Sequence, residues 1–281
     1  MSESDNQRNT PGALDARTMI LDLFAAYEGG RGYRTVLSTK EILLVGEVLE
    51  LAPSAIRTAI TRLKQEGRLQ AMGRGLYTYG QAVDPWRQRI DGWRVAATRR
   101  RPWDGAWLMA IIKPASLSRT GWRATLRALE LEGFRRTGDG LWLRPDNLEG
   151  LDRTRDRLLA YGASDAMLTA RITDLDEASL KAVPSLWEAD ALAEEHRRLA
   201  RQIEASLNRI RHETSDSAAR EALVLGRAGV RAIVRDPLLP DDMADSEPLE
   251  TLADAMGRYE SVGKAVWTRR FRLIGVEPAL S

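Results

Sequence analysis

The chain has 281 residues, of which 43% are hydrophobic and 29% are charged, with 22 Gly and 11 Pro. This length predicts two or three domains, and the composition excludes a disordered or fibrous protein. Cys is absent and His occurs only twice, which excludes disulfides, thiol nucleophiles and Cys-bound zinc. No secretory signal or membrane-spanning apolar run is present, so we expect a cytoplasmic protein with no membrane partner.

The charge is unevenly distributed along the chain. The whole sequence has 42 basic and 40 acidic residues, a net charge of +2. Residues 53–101 contain eleven Lys or Arg and three acidic residues, a local excess of eight positive charges. Such an excess attracts a polyanion such as nucleic acid. Arg-rich helices are also often no more than solvated surfaces, so charge alone does not settle the partner.

The first 83 residues show the pattern of a small DNA-binding domain. Residues 1–14 are polar and predict a disordered tail. Apolar spacing predicts a helix from Asp15 to about Tyr27, and a second helix starts at Ser38, where Glu41 completes a capping box. A third helix, PSAIRTAITRLKQEG, is followed by two short strands around a Gly-Arg-Gly turn. This order predicts a winged helix-turn-helix over residues 15–83.

The third helix has one apolar face and one polar face. Ile56, Ile60 and Leu63 recur at helical spacing and predict the face that packs on the first two helices. The opposite face then points into the major groove of double-stranded DNA, where Arg reads guanine edges and Thr contacts thymine methyl groups or phosphates. An Arg in the wing turn reaches a phosphate or a minor groove. The predicted DNA-binding residues are Ser54, Arg57, Thr58, Thr61, Arg62, Lys64 and Arg74.

The middle of the chain predicts a second type of domain. Residues 84–102, rich in Trp and Arg, predict a connecting helix. Residues 103–175 then alternate in the order strand, helix, strand, strand, helix, strand, which is typical of a ferredoxin-like domain. Its Asp residues are scattered over predicted loops, and Lys113 follows the first strand where a metal-binding carboxylate would be needed. We therefore expect a structural or dimerising domain with no metal site and no catalytic residue.

The remainder, residues 176–281, predicts a helical C-terminal domain. The overall prediction is thus an α+β multidomain fold. His196 and His212 are sixteen residues apart on one predicted helical stretch, too far along the axis to share a metal. The Gly-rich turns are hairpin turns and not strand-to-helix phosphate loops. We expect no cofactor.

Three segments in this order resemble the landmarks of a known family. IRTAITRLKQEGRL in the third helix, WDGAWL at the start of the middle domain, and RDPLLP in the helical region are similar to segments of the PaaX family. The resemblance implies a homodimeric transcriptional repressor of aromatic catabolism with a Cas2-like, non-nuclease middle domain. It also implies release from the operator by a small-molecule inducer, an aromatic acid or its CoA thioester.

Other functions remain open at this point. The main alternative is a metal-dependent nucleic-acid enzyme of the Cas2-like type that carries a winged helix; a CoA-thioester enzyme is a weaker third. For an inducer of the CoA type, arginines would bind phosphates and aromatic side chains would hold the acyl group. Each candidate also has a structural interpretation, as a core or turn residue. The candidates are Trp187, Arg197, Arg227, Arg235 and Trp267.

Overall fold

The computed structural model describes residues 15–28, 36–80, 89–90, 92–113 and 117–273. The predicted tail, 1–14, lies outside this part of the chain. The protein is mixed α/β, mainly helical, with two small antiparallel sheets. It divides into two compact units, the first containing Met1–Val83, Ile210–Val224 and Gly263–Ser281, and the second containing Asp84–Arg209 and Leu225–Val262. No helix in the described ranges is long and apolar enough to cross a bilayer.

The N-terminal part of the first unit contains three helices and a three-stranded sheet. Its elements are α1 (Ala16–Glu28), β1 (Val36–Ser38), α2 (Thr39–Val48), α3 (Pro53–Gln65), β2 (Leu69–Gly73) and β3 (Leu76–Tyr79). The sheet order is β1-β3-β2, antiparallel throughout. The capping box is confirmed, because Ser38 Oγ accepts from the Glu41 amide at 3.1 Å and Glu41 Oε2 accepts from the Ser38 amide at 2.5 Å. The short strand β1 has no counterpart in the sequence-based prediction.

The helices α1, α2 and α3 pack around an apolar core. Met19, Ile20 and Phe24 of α1 are fully buried, as are Ile42 of α2 and Ile56 of α3. The α2–α3 contact is close at Gly46, where an added Cβ would lie 2.0 Å from Ile56 Cδ1. A side chain there would overlap the core residue that seats α3, so the glycine sets how near the two helices approach.

The second unit contains a four-stranded sheet. Its elements are β4 (Trp107–Ile111), α4 (Arg119–Leu131), β5 (Arg135–Arg136), β6 (Trp142–Pro145), α5 (Leu151–Ala160) and β7 (Leu168–Ile172), in the order predicted. The strand order in the sheet is β5-β6-β4-β7, all antiparallel. Side chains alternate along the strands, so one face buries Leu108 and Trp142 and the other buries Trp107 and Leu143. Both faces are therefore covered.

Four further helices follow the sheet: α6 (Glu177–Ala182), α7 (Ala189–Ile210), α8 (Asp216–Arg235) and α9 (Glu247–Leu273). The sequence predicted one helical domain over residues 176–281. Instead, residues of α8 and α9 are shared between the two units. The difference has a physical reason, since a helix of 20 or 27 residues is about 30 to 40 Å long and presents its apolar stripe beyond one small core.

The predicted connecting helix over residues 84–102 is not a continuous α-helix. Residues 84–88 and 91 lie outside the described residues. Two short 3₁₀ turns, Trp93–Val95 and Ala97–Arg99, follow, and the chain is extended at Arg100. Among the described residues of this stretch, Trp93 and Ala96 are buried. The helical periodicity of the sequence was misleading, because one buried tryptophan and one buried alanine give too little apolar contact to support a longer helix.

A buried carboxylate organises the charges of the second unit. Glu132, directly after α4, is 1% exposed and forms ion pairs with Arg89 at 2.5 Å, Arg157 at 3.0 Å and Arg99 at 3.6 Å. Burial opposes ionisation of Glu132, but these arginines outweigh it and lower its pKa. The fully buried Arg144 donates to the main-chain oxygen of Glu132, and burial lowers the pKa of Arg144 to about 10.

Removing the Glu132 charge should destabilise the second unit strongly. Glu132→Gln leaves three guanidinium groups without their shared partner, and such a loss costs about 3 to 5 kcal/mol of unfolding free energy. Glu149→Gln is the matched control, because Glu149 is one-third exposed and pairs with Arg157 at the edge of the same cluster. We expect the control to cost at most about 1 kcal/mol. Urea unfolding followed by Trp fluorescence measures both; equal losses would contradict this account.

The same cluster should make stability fall in acid. Because the pKa of Glu132 is lowered on folding, its contribution is complete above the unfolded carboxyl pKa, near 4.5, and is lost as the pH falls through the folded value. The wild type should therefore lose more stability than Glu132→Gln when urea unfolding is compared at pH 6 and below pH 4. A pH-dependence identical in the two proteins would show that Glu132 is not the group responsible.

Candidate nucleic-acid interface

The face of α3 that is turned away from the core is polar and exposed. Ile56, Ala59, Ile60 and Leu63 are buried on the inner side, as the sequence predicted. The outer side carries a row of exposed residues at helical spacing: Ser54, Arg57, Thr58 and Thr61. Pro53 occupies the first turn, where its missing amide hydrogen costs nothing. The helix thus packs on the core with its apolar face and exposes its polar face, a row of side chains called the ridge below.

The two threonine hydroxyls on this ridge are already engaged within the helix. Thr58 Oγ1 donates to the main-chain oxygen of Ser54 at 2.9 Å, and Thr61 Oγ1 donates to that of Arg57 at 3.0 Å. Each hydroxyl keeps its acceptor lone pairs, and each methyl group is left on the exposed side chain. The ridge therefore offers apolar methyl contacts and hydrogen-bond acceptors beside the guanidinium of Arg57.

Among the residues that the structure describes, no carboxylate pairs with the four predicted cationic side chains of this surface. Arg57, Arg62, Lys64 and Arg74 are all exposed. Within the part of the chain that the structure describes, none of the four is in an ion pair; the Lys64 ammonium lies 6.0 Å from the ring centroid of Tyr77. Unpaired surface cations keep their full charge for a polyanion and release counterions when they bind one.

The β2–β3 hairpin ends in a turn that is tied to α2. Gly75 has φ +72°, a left-handed conformation that suits glycine. Its carbonyl accepts from the Thr39 amide at 2.8 Å and from Thr39 Oγ1 at 3.1 Å. Arg74 at the tip is exposed, and so are the apolar side chains of Met72 and Leu76, at 48% and 41%. Sequence reasoning missed this apolar pair, although both residues flank the predicted Arg.

Much of the predicted basic stretch is paired inside the second unit. Besides the Arg89 and Arg99 contacts to Glu132, Arg94 pairs with Glu260, and Arg100 pairs with Glu250 at 2.8 Å. These acidic partners lie up to 166 positions away in sequence. The local excess of eight charges is therefore not one continuous cationic surface. The cationic surface that a polyanion could contact is therefore reduced to the exposed cations of α3 and the hairpin.

The five predicted inducer-binding residues are divided between the two units. Trp187 is buried in the sheet core and donates to the Gly133 oxygen at 2.8 Å. Trp267 belongs to the first unit, buried against Phe271. In the second unit, Arg235 is exposed, Arg227 is half-buried, and Arg197 lies near Glu194 and Asp245. The two tryptophans therefore have the structural roles that the sequence left open.

Two carboxylates that the sequence placed in separate loops meet at the four-stranded sheet. Arg171 of β7 binds Asp146 at 2.7 Å and Asp104 at 2.5 Å. Its guanidinium occupies the space between them. Among the residues described, no three His, Asp or Glu side chains cluster in a way that could hold a metal. Asp139 does not join this pair, and it lies in the turn before β6.

Comparison with known proteins supports the fold of the chain only. No protein-family model matches the chain. No curated protein matches it. A similar solved structure is the uncharacterized protein Rv0674 from Mycobacterium tuberculosis, which is 22% identical; the match covers 92% of this chain and 98% of that chain with a TM-score of 0.56. At this identity, the likeness shows a shared mixed α/β fold over nearly the whole length of both chains.

The joint between α3 and the hairpin depends on Gly80. An added Cβ at Gly80 would lie 1.8 Å from the main-chain oxygen of Gly67, which ends α3. Gly80→Ala should therefore force the hairpin away from the helix end and cost about 1 to 3 kcal/mol. Gly138→Ala is the control, because its Cβ would meet nothing within 4 Å. Thermal unfolding by circular dichroism should show the loss for Gly80→Ala alone; two unchanged melting curves would contradict the close contact.

Proposed function

We propose that this protein is a DNA-binding transcriptional repressor that reads its operator with α3. The observation that carries the proposal is the α3 surface. A helix whose buried side fixes it to a core, and whose exposed side combines Arg57 with two threonine methyl groups and further exposed cations, matches the chemistry of major-groove edges and flanking phosphates. Direct base contacts would come from Ser54, Arg57, Thr58 and Thr61.

The surrounding elements support a winged helix-turn-helix. Helix, strand, helix, helix and hairpin follow in that order, and the first strand pairs with the hairpin in the order β1-β3-β2. In this architecture α2 supports α3, and the β2–β3 hairpin is the wing. Arg62 and Lys64 would contact phosphates beside the groove, and Arg74 would approach the backbone or minor groove from the wing tip.

The middle sheet supports a ferredoxin-like, Cas2-like domain. Its first strand, β4, lies between the third and the fourth, and the second is at an edge, which is the sheet order β5-β6-β4-β7. Two helices, α4 and α5, connect the strands as that fold requires. In the proposed repressor this domain has a structural or dimerising role.

The RDPLLP segment supports membership of the PaaX family. Apart from Arg235, its residues are buried. Asp236 accepts from the Leu238 amide at 2.6 Å, the Leu238 oxygen accepts from Asn147 at 2.7 Å, and Leu239 joins the sheet core. Because these contacts depend on the identity of each residue, the segment is a suitable sequence marker for a family. From that resemblance we propose that the protein is cytoplasmic and that its operator controls genes of aromatic catabolism. A small-molecule inducer, an aromatic acid or its CoA thioester, would release the protein from the operator.

The alternative, a metal-dependent nucleic-acid enzyme, is less well supported. Such an enzyme needs free carboxylates that converge on a cation. Here the converging pair, Asp104 and Asp146, is bridged by the guanidinium of Arg171, and hydrogen bonds to Ala106 and Arg171 lower the pKa of Asp104. These carboxylates are committed to an ion pair. The geometry therefore favours a structural bridge over a catalytic centre.

The operator can be found by selection from a random duplex library with the full-length protein, and Arg57 can then be tested on it. Arg57→Ala should cost about 1 to 3 kcal/mol on the selected operator and relax the preference at one base pair, because a bidentate guanine contact is lost. Lys64→Ala is the matched comparison. It should weaken binding to the operator and to random duplex alike, and it should reduce the slope of log affinity against log salt concentration by about 1 in magnitude. Fluorescence anisotropy measures both. Failure to enrich any sequence would reject the repressor, and an equal loss for Arg57→Ala on all duplexes would make Arg57 a phosphate contact.

We expect a homodimer on an operator with two-fold symmetry. One α3 contacts too few base pairs to define a genomic site, so two copies must bind half-sites about one helical turn, or a small multiple of it, apart. Multi-angle light scattering of the free protein and of the operator complex gives the stoichiometry. A monomer in both measurements would refute the dimer.

A further inference from the structure

The second unit contains a pocket that no predicted site residue lines. It lies where α7, the buried segment after α8, and the first turn of α9 meet. Leucines and alanines make most of its wall, with Leu192, Leu239 and Leu249 the largest. The empty space of about 330 Å³ includes open solvent at its mouth, and only a small inner part of it is enclosed by the protein.

A buried His–Asp pair lines the pocket. His196 is 2% exposed and Asp236 is 6% exposed. Their facing atoms, His196 Nε2 and Asp236 Oδ2, are 3.5 Å apart, and His196 Nε2 has no hydrogen-bond partner among the described residues. An unsatisfied buried nitrogen lowers stability, so a ligand group that bonds to it recovers a penalty already present.

The charges around the pocket favour an uncharged occupant. Burial lowers the pKa of His196 and raises the pKa of Asp236, so each environment favours the neutral form. Arg100 opposes a cation, but it is already paired with Asp241 and Glu250 and is poorly placed to take an anion. Asp245, on the same wall, opposes an anion as well. Neither sign of charge gains a clear partner here.

The shape of the pocket limits the size of the polar group. Its enclosed inner part has room for one group the size of a water molecule, and the remainder opens outward between apolar side chains. A hydroxyl fits the inner part, and a hydrocarbon body attached to it would lie in the solvent-open mouth, beside the leucines. The nucleotide portion of a CoA thioester is far too large and too anionic for this space.

We propose that this pocket binds a small uncharged molecule with one hydroxyl group on an apolar body, the hydroxyl lying between His196 and Asp236. The class includes phenols and cyclic alcohols. Affinity comes from burying the apolar body against the leucines, and selectivity comes from the hydrogen bond to the buried pair. The argument uses only residues of the second unit, so it stands apart from DNA binding.

The two histidines allow a direct test on the full-length protein. With ¹⁵N-histidine labelling, long-range ¹H–¹⁵N spectra contain ring signals of His196 and of the exposed His212 alone. Titration with phenol, and separately with cyclohexanol, should move the Nε2 signal of His196 along a saturating curve and leave His212 unchanged. Binding of both probes defines the class as small alcohols in general, and binding of one narrows it to aromatic or aliphatic members. Unchanged His196 signals with both would overturn the proposal.

Matched ligands and variants test the mode of binding. Toluene, which has the shape of phenol without the hydroxyl, should bind at least about 10-fold more weakly than phenol. We expect at least the same loss of affinity for benzoate and benzylamine. Ala193→Leu fills the pocket from α7 and should weaken phenol by about 10-fold or more, whereas Ala205→Leu, an exposed position on the same helix, should not. Equal binding of toluene, tighter binding of either ion, or full affinity in Ala193→Leu would overturn the proposal.

A role of the occupant as an inducer rests on the proposed DNA binding, names an uncharged alcohol in place of the aromatic acid or CoA thioester, and has its own measurement. Saturating phenol, judged by the His196 signal, should weaken binding of the selected operator by about 10-fold or more, and the operator should weaken phenol binding by the same factor. Unchanged operator affinity with the pocket filled would reject the inducer role. A protein that binds phenol but no DNA would reject the repressor and leave the pocket assignment in place.

Discussion

The second unit depends on burying a single negative charge, the carboxylate of Glu132. Placed in the interior alone, this group would lose several kcal/mol of hydration free energy, and it is tolerated because three guanidinium groups converge on it, two from the segment before the sheet and one from α5. Arg89, one of these, also donates to the main-chain oxygen of Val234 at 2.8 Å, near the end of α8. The charge thereby connects the segment before the sheet, helix α5 and the end of α8.

A chain of hydrogen bonds extends this connection to the buried turn after α8. Arg144 binds the main chain at Glu132 and the side-chain oxygen of Asn147, and Asn147 in turn donates to the Leu238 oxygen. Leu238 has φ +53°, a strained value for a residue that is not glycine. Such a conformation persists only where its surroundings fix it, and here the hydrogen bonds and the burial of Leu238 do so. The pocket wall next to it is consequently a rigid surface.

The sequence indicated the local elements well. The capping box at Ser38, the proline at the start of α3 and the alternating strands of the middle sheet are encoded by neighbouring residues, and the structure contains all of them. What depends on distant partners was not predictable. Arg74 and Arg94 look equivalent in the sequence, yet Arg94 pairs with Glu260 and Arg74 is exposed without an ion pair among the described residues. The pocket brings together His196 and Asp236, which are 40 residues apart, and no local sequence pattern predicts that contact.

The intrahelical bonds of Thr58 and Thr61 have a consequence for the bases that the proposed repressor can distinguish. With their hydroxyl protons held by the helix, these side chains would recognise a base mainly through their methyl groups. The C5-methyl group of thymine is one such contact surface in the major groove. Cytosine that has been methylated at C5 presents a methyl group at the same place, and on the major-groove edge the two bases then differ only at their exocyclic 4-position. The recognition surface of α3 would therefore be sensitive to the methylation state of the DNA as well as to its sequence.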